Sequence, residues 1–323
     1  MLMGTRPQGR IIAALLCFGT GVGSTALAWW SESHPVITEA AFAALPADMP
    51  EFFRKGKETV ASYSGDPDLW KEKAVPALRS AENPNHFINL ESLQGKELPK
   101  TRQQYVKLCW DVNTDADKTG CLPYAIQEDY EKLVMAFAEH RKAPEDKAVQ
   151  AKVLYLAGVL AHYAEDAAQP LHTTIHYDGR AKPNKVSPRS GIHPKVDALP
   201  EKLRLTAEEI AKDIKKVEAP KDVAFAFTLA AIRESHGRVD RLYEFEAKLP
   251  DTDAEPPKDP DKDLREFSLE RCRAGASLAA TLWYAAWAQS AKVTLPPWHR
   301  AAQRGAEAAS APAKKEPIGA AAD

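Results

Sequence analysis

The stretch Val159–His172, VLAHYAEDAAQPLH, constrains this chain more than any other. Read as a helix that ends near its proline, it places His162 and Asp166 one turn apart on one face. The residues before it, Lys147–Leu160, are rich in Ala, Leu and Val, so we expect a core helix. A buried imidazole and a buried carboxylate are costly unless they pair or bind a metal ion. The stretch therefore indicates either a metal site or a buried His–Asp pair beside a surface histidine, His172.

The remainder of the chain is predicted to be helical. No segment shows the period-2 alternation of a strand, and no internal repeat is present. Apolar residues recur at helical spacing in Thr206–Val217, Asp222–Leu249 and Asp261–Val293. A hydrophobic fraction of 44% is enough for a full core. We predict an all-α fold, a single bundle-like helical domain.

The first 28 residues resemble a secretory signal peptide. A positively charged start precedes a short apolar run, Ile11–Phe18, and a small-x-small cleavage site that ends at Ala28. The apolar run is too short to span a bilayer well. We expect a secreted or periplasmic monomer without a stable membrane anchor, and its mature chain would begin at Trp29.

Net charge limits the partners that the protein can attract, and composition indicates the structure of its C-terminal end. The formal net charge of −2 gives no global basic field that would steer nucleic acid to the protein, so any such contact must be local. Residues 299–323 are Ala-, Lys- and Glu-rich with little to bury, and we predict a disordered tail. Residues 29–298 then form the folded domain.

A long polar segment, Thr173–Leu199, follows the central helix and is predicted to be a loop. Loops of this length in a compact domain are usually functional or disordered. This one contains His176, His193 and Asp197, which favours a functional loop. His193 and Asp197 are four residues apart, as His162 and Asp166 are.

Imidazoles and carboxylates with no thiolate among them suit zinc in a hydrolytic site. These residues, taken in order after a signal peptide, resemble the zinc-dependent phospholipase C and single-strand-specific nuclease superfamily. That resemblance implies an all-α fold with three Zn²⁺ ions in a cleft. The motifs that carry it are Trp29, His34, Asp66, His86-Phe87, His162-x-x-x-Asp166, Gln169-Pro170-x-His172 and His193-x-x-x-Asp197.

The resemblance implies nine metal ligands in three sites, with the N-terminal tryptophan binding through its free amine and its own carbonyl. The sites are Asp66, His86, His162 and Asp166; Trp29, His34 and a bridging Asp166; and His172, His193 and Asp197. The pattern Tyr63-x-x-Asp66 favours Asp66 for the first site, with Asp68 as the alternative. Asp66 and Asp166 would be the catalytic aspartates. The positive charge of such a cluster suits the extra negative charge of a phosphodiester transition state.

The implied activity is hydrolysis of phosphodiester bonds by in-line attack of a zinc-bound hydroxide. The spacing Trp29-x4-His34, the last ligand Asp197, and a segment from Cys109 to Cys121 that resembles the nuclease disulfide all favour the nuclease branch. We therefore expect an endonuclease or 3'-nucleotidase that acts on single-stranded DNA or RNA, with a Cys109–Cys121 disulfide.

Substrate contacts are predicted at four positions. Phe87 matches an aromatic residue on which nucleases stack a base, and Asn89 stands where they carry an aspartate that reads the base edge. Lys71 and His176 are further candidates, although His176 is equally explained as a solvated loop residue and Phe87 as a core residue. The alternative functions are a phospholipase C with an apolar, lipid-facing rim, and an exported helical protein whose zinc ions are purely structural.

Overall fold

The computed structural model describes residues 33–182, 186–218 and 224–299. Across these ranges the chain forms helices and no β-strand, so the predicted all-α fold is confirmed. The signal segment 1–28, Trp29 and the tail beyond His299 lie outside the described residues. Within the same ranges, no helix has both the length and the apolar character needed to cross a membrane.

Fifteen α-helices follow one another in the described part of the chain. They are α1 (Ser33–Ala41), α2 (Glu51–Lys55), α3 (Lys57–Tyr63), α4 (Asp66–Leu69), α5 (Pro76–Glu82), α6 (Arg102–Asp111), α7 (Ala116–Thr119), α8 (Leu122–Lys142), α9 (Lys147–Asp166), α10 (Ile192–Asp197), α11 (Leu199–Lys202), α12 (Ala207–Ala211), α13 (Ala224–His236), α14 (Val239–Tyr243) and α15 (Lys262–Ser290).

Three long helices, α8, α9 and α15, form the centre of the bundle and pack against one another. Local sequence explains where they begin. The side chain of Asp146 caps α9 by accepting from Ala148 and Val149, and Pro123 occupies the first turn of α8. The fully buried Trp283 of α15 donates its indole N–H to the carbonyl of Ala157 on α9 at 3.0 Å, which ties two of these helices together.

Helix α9 also packs closely against α3, and a glycine allows the close approach. A Cβ atom on Gly158 would lie 2.5 Å from the Cβ of Tyr63 and 2.6 Å from the carbonyl oxygen of Val60. The second atom belongs to the backbone and has little freedom to move. Because α3 runs directly into α4, this contact fixes where α4 lies relative to α9.

The segment predicted as one long loop, Thr173–Leu199, contains helix α10. The carboxylate of Asp178 accepts from the backbone N–H groups of Gly191 at 2.8 Å and His193 at 3.2 Å, and so fastens the loop to the start of α10. The prediction of a continuous loop was wrong at this point. A helix of six residues is too short for hydrophobic periodicity to reveal it.

Substitution of Gly158 by alanine tests the α3–α9 contact. Because the neighbouring carbonyl has little freedom to move, overpacking should cost about 2–3 kcal/mol. Alanine regains about 1 kcal/mol of helix propensity, so we expect the free energy of unfolding to fall by about 1–2 kcal/mol. Urea unfolding of the metal-free protein measures this. The control is Ala151→Leu on the exposed face of α9, which should change the free energy by less than about 0.5 kcal/mol. Unaltered stability of Gly158→Ala would show that the two helices are further apart.

Candidate metal centre

Histidines and acids from separate segments meet at the C-terminal end of α9. Helix α9 supplies two of them, α1, α4 and α10 supply others, and two short 3₁₀ turns, Asn83–His86 and Pro170–Thr173, supply the rest. Three groups in the described residues have donor atoms close enough to share one ion. The groups are His34, His162 and Asp166; Asp68, His86 and His162; and His172, His193 and Asp197.

The second of these groups has the dimensions of a zinc site. The Nδ1 atom of His86 lies 2.9 Å from the Nε2 atom of His162, and both lie 3.8 Å from Oδ1 of Asp68. The Oδ2 atom of Asp166 completes the set, 3.1 Å from the His86 nitrogen and 3.3 Å from the His162 nitrogen. Zinc–ligand bonds of about 2.0–2.1 Å in tetrahedral geometry require ligand separations of about 3.3 Å.

The carboxylate in this group is Asp68 and not Asp66, which corrects the residue favoured from sequence. Asp66 begins α4 and belongs to none of the three groups. Two residues along a helix correspond to a rotation of about 200°, so the two side chains leave α4 on nearly opposite sides. The spacing from Tyr63 pointed to Asp66, but the phase of a four-residue helix decides which acid faces α9.

Asp166 stands between the groups. Its Oδ2 atom faces His86 and His162, while its Oδ1 atom lies 3.7 Å from Nε2 of His34 and 3.3 Å from Nδ1 of His172. The rings of His34 and His162 stack with their centroids 3.9 Å apart. One carboxylate with two differently directed oxygens is what a bridging ligand requires. The proposed partner Trp29 lies outside the described residues.

The third group is the most accessible. The Nε2 atom of His193 lies 3.2 Å from Oδ2 of Asp197, and Nε2 of His172 lies 3.6 Å from Oδ1 of the same acid. The side chain of His193 is 25% exposed, whereas Asp197 is fully buried. Gln169 orients this acid by donating to its Oδ1 atom at 2.8 Å.

Three of the histidines share one orienting contact, a hydrogen bond from Nδ1 to a main-chain carbonyl. A carbonyl only accepts, so each Nδ1 carries a proton, and Nε2 is the atom through which each ring, when neutral, can bind a metal. The Nε2 atom of His172 is buried and has no hydrogen-bond partner among the described residues, as expected of a metal ligand. The contacts join His162 to Ser64 (2.7 Å), His172 to His86 (2.6 Å) and His193 to Tyr177 (3.0 Å).

Sequence reasoning missed Glu165, a buried acid beside Asp166. Its Oε2 atom lies 2.7 Å from Nδ1 of His34, and its Oε1 atom accepts from the hydroxyl of Thr38 at 2.6 Å. The residue next to a ligand leaves a helix on another face, so ligand spacing does not reveal it. An acid within an otherwise apolar helix was the available signal.

Burial and mutual charge set the protonation of the centre. Burial holds the pKa of His34 and of His86 well below the usual value, so both are neutral. Burial opposes ionisation of Asp166, yet His172 and His162 hold its pKa well below the usual range. Burial also acts against protonation of His172, but Asp166 and Asp197 outweigh it and raise its pKa to about 9. Neutral imidazoles and ionised aspartates are the forms that bind metal ions, so His172 would release a proton on binding one.

The predicted substrate contacts have different surroundings. Asn89 is only 7% exposed, and its amide donates to the carbonyl of Lys118 at 2.9 Å, so this side chain ties its segment to α7. These contacts give Asn89 a structural role, and its reading of a base edge stays a prediction. Phe87 is half-buried, directly after His86. The ammonium of Lys71 lies 2.5 Å from Oδ1 of Asp68 and is thus beside the centre.

His176 has a structural environment within its loop. Its Nδ1 atom accepts from the backbone N–H of Ala181 at 3.0 Å, and its carbonyl accepts from the hydroxyl of Tyr243 at 2.5 Å. His176 belongs to none of the three groups of candidate ligands. These bonds support the alternative that it is a loop residue.

Cys109, Cys121 and Cys272 are buried free thiols in the structure. The predicted disulfide between Cys109 and Cys121 is therefore not formed here, which corrects that prediction. Burial raises the pKa of Cys121 to about 11, and its thiol points to the carbonyl of Ala116 at 3.8 Å. A thiol in this state is a poor nucleophile for disulfide formation.

Comparison with known proteins gives weak matches. No family model matches the sequence, and no curated protein matches it significantly. The structure of an alpha toxin from Clostridium absonum is similar to this chain, with 13% sequence identity and a TM-score of 0.43. The aligned part is 82% of this chain and 66% of the toxin. The alpha-toxin of Clostridium perfringens from avian strain SWCP has 11% sequence identity and a TM-score of 0.38. In that alignment the matched part is 81% of this chain and 64% of the toxin. The chain thus spans just under two thirds of each toxin, and these values transfer no activity to it.

The pair Asp66 and Asp68 gives a matched test of the centre. Asp68→Asn removes a charged ligand beside His86 and His162, so we expect the affinity of one divalent ion to fall about 10–100-fold. Asp66→Asn should leave metal binding unaltered. Zinc content after dialysis at a series of chelator concentrations measures both. The reverse ranking would restore Asp66 as the ligand.

Proposed function

We propose that this protein is a zinc-dependent hydrolase of phosphodiester bonds with three metal sites. The observation that carries the proposal is the position of Asp166. Its two oxygens face different sets of histidines at 3.1–3.7 Å, so this one acid could serve as a ligand to two neighbouring ions. A donor set of imidazoles and carboxylates with no thiolate supports zinc in particular.

The chain's own residues have separate tasks in this proposal. Asp68, His86, His162 and Asp166 would hold the first ion, and His172, His193 and Asp197 the third. When bound, zinc supplies the Lewis acidity that stabilises negative charge on a phosphoryl oxygen. Lys71 would neutralise charge at the mouth of the first site, since its ammonium already lies against Asp68.

The second ion would use His34, Asp166 and the amino terminus of the mature chain. That assignment makes Trp29 the first residue after export. An α-amine binds zinc only when uncharged, and metal binding drives off its proton. The proposal therefore includes cleavage after Ala28 as a step that completes the centre.

Phospholipids are the substrate class that the surroundings of the centre favour. Leu69 directly follows Asp68 and is 62% exposed, and Val75 and Leu78 in the same region are 41% and 40% exposed. Exposed apolar side chains that follow a ligand closely in sequence suit contact with a lipid surface. Because Asn89 is buried, one of the two base contacts expected from sequence is less accessible to a substrate. We therefore place cleavage of a phospholipid headgroup ester, the reaction of a phospholipase C, ahead of nucleic-acid hydrolysis.

A nuclease is the second candidate, and Phe87 is the observation that favours it. Its half-buried ring follows His86 directly, where it would stack on a base beside the first ion. Stacking of this kind contributes about 1–3 kcal/mol per base. Phe87→Leu should then reduce hydrolysis of single-stranded DNA while leaving small phosphodiesters unaffected.

Incubation of the zinc-loaded mature protein with three substrates separates these functions. We expect release of the phosphorylated headgroup from phosphatidylcholine vesicles, hydrolysis of bis(p-nitrophenyl) phosphate, and little release of nucleotides from single-stranded DNA. Asp166→Asn should lower both expected activities by about 100-fold or more, because it removes the shared ligand. Exposed Glu131→Gln on α8 is the control and should retain them.

Two results would contradict this order of functions. Nucleotide release without headgroup release would make the nuclease the correct function. Full zinc content with no hydrolysis of any of the three substrates would mean that the ions are structural.

A further inference from the structure

Glu165 is buried at the metal centre but is not among the proposed ligands. The residue is 1% exposed, and both of its carboxylate oxygens are engaged. Oε2 lies 2.7 Å from Nδ1 of His34, and Oε1 accepts from the hydroxyl of Thr38 at 2.6 Å. His34 and Thr38 are one turn apart on α1, so one carboxylate of α9 holds a face of α1.

The contact from Glu165 determines how His34 points. With Nδ1 of its ring directed at the carboxylate, Nε2 lies on the far side of the ring, 3.7 Å from Oδ1 of Asp166. His162, His172 and His193 are oriented by main-chain carbonyls, whereas His34 is oriented by an acid. An acid bonded to one ring nitrogen of an imidazole fixes the orientation of the ring and makes the other nitrogen a more basic metal ligand.

Helix α15 leaves room for this carboxylate through Gly275. A Cβ atom at that position would lie 3.2 Å from the Cα atom and 3.4 Å from the Cγ atom of Glu165. The first distance is tighter than an ordinary van der Waals contact, so a larger residue at 275 would displace Glu165. The fold thus encloses Glu165 between α1 and α15.

We propose that Glu165 is a positioning residue: it aligns His34 for metal binding and so sets the affinity of the ion that His34 and Asp166 share. The inference rests on the proposed function in one respect, that the centre binds metal ions. It requires no particular substrate.

A double-mutant cycle tests whether Glu165 acts through His34. Zinc affinity is measured by chelator competition in His34→Ala, Glu165→Ala and the double variant. We expect Glu165→Ala to weaken one of the bound ions about 10–100-fold and to have little further effect when His34 is already alanine. In the cobalt-substituted protein, Glu165→Ala should also alter the visible absorption of that ion, which a merely structural role would not change.

Two milder variants keep the proposal falsifiable if Glu165→Ala fails to fold. Glu165→Gln retains an acceptor for His34, so the loss of affinity should be smaller than with alanine. Gly275→Ala displaces Glu165 without altering its chemistry. This variant should bind one ion more weakly. It should not unfold at a lower urea concentration, because alanine is a better helix former than glycine. Glu131→Ala, on the exposed face of α8, is the matched control and should bind as the wild type does.

The outcomes separate this inference from the proposed function. Wild-type protein that binds no zinc would overturn both. Wild-type protein that binds zinc, with the same affinity in Glu165→Ala and Gly275→Ala, would overturn only the inference. An equal loss with and without His34 would also overturn it, since Glu165 would then act by another route.

Discussion

The carboxylate of Asp166 is the group on which the rest of the centre depends. It is buried at the end of α9, and an ionised acid there costs several kcal/mol unless positive charge lies close by. Burial keeps His34 and His86 neutral, and His172 is the neighbour whose pKa is raised to about 9. One imidazolium and the Lys71 ammonium against Asp68 are little charge for acids that include Asp166 and Asp197. Metal ions would supply further positive charge, and this is the physical reason for preferring a metal centre to a His–Asp pair.

The helical bundle places this acid and then orients its neighbours. The contact between α3 and α9 at Gly158 fixes the end of α3, and the carbonyl of Ser64 just beyond it holds the ring of His162. The same segment continues into α4 and delivers Asp68. Packing in the core and the geometry of the centre are therefore linked through a few residues of backbone. A substitution that alters core packing at this contact should therefore shift the metal ligands, although the substituted residue does not contact them.

Sequence periodicity was sufficient for the parts of the centre that lie on regular helices. The pair His162–Asp166 follows from the i,i+4 spacing on α9, and the all-α fold follows from the absence of alternation. His193 and Asp197 have the same spacing, but the helix α10 that carries them was predicted as a loop. Periodicity was insufficient where a short helix or a loop decides which way a side chain points. Asp66 and Asp68 differ only in the phase of α4, and the Asn89 amide bonds to a carbonyl of α7 that sequence does not identify.

Anomalous diffraction from crystals of the mature protein grown with zinc, recorded on both sides of the zinc absorption edge, is the most direct test. We expect three zinc peaks at the end of α9. Two should lie beside Asp166, one near each of its carboxylate oxygens, and the third should lie between His172, His193 and Asp197. An empty map at Asp166, or zinc found only on surface residues, would contradict it.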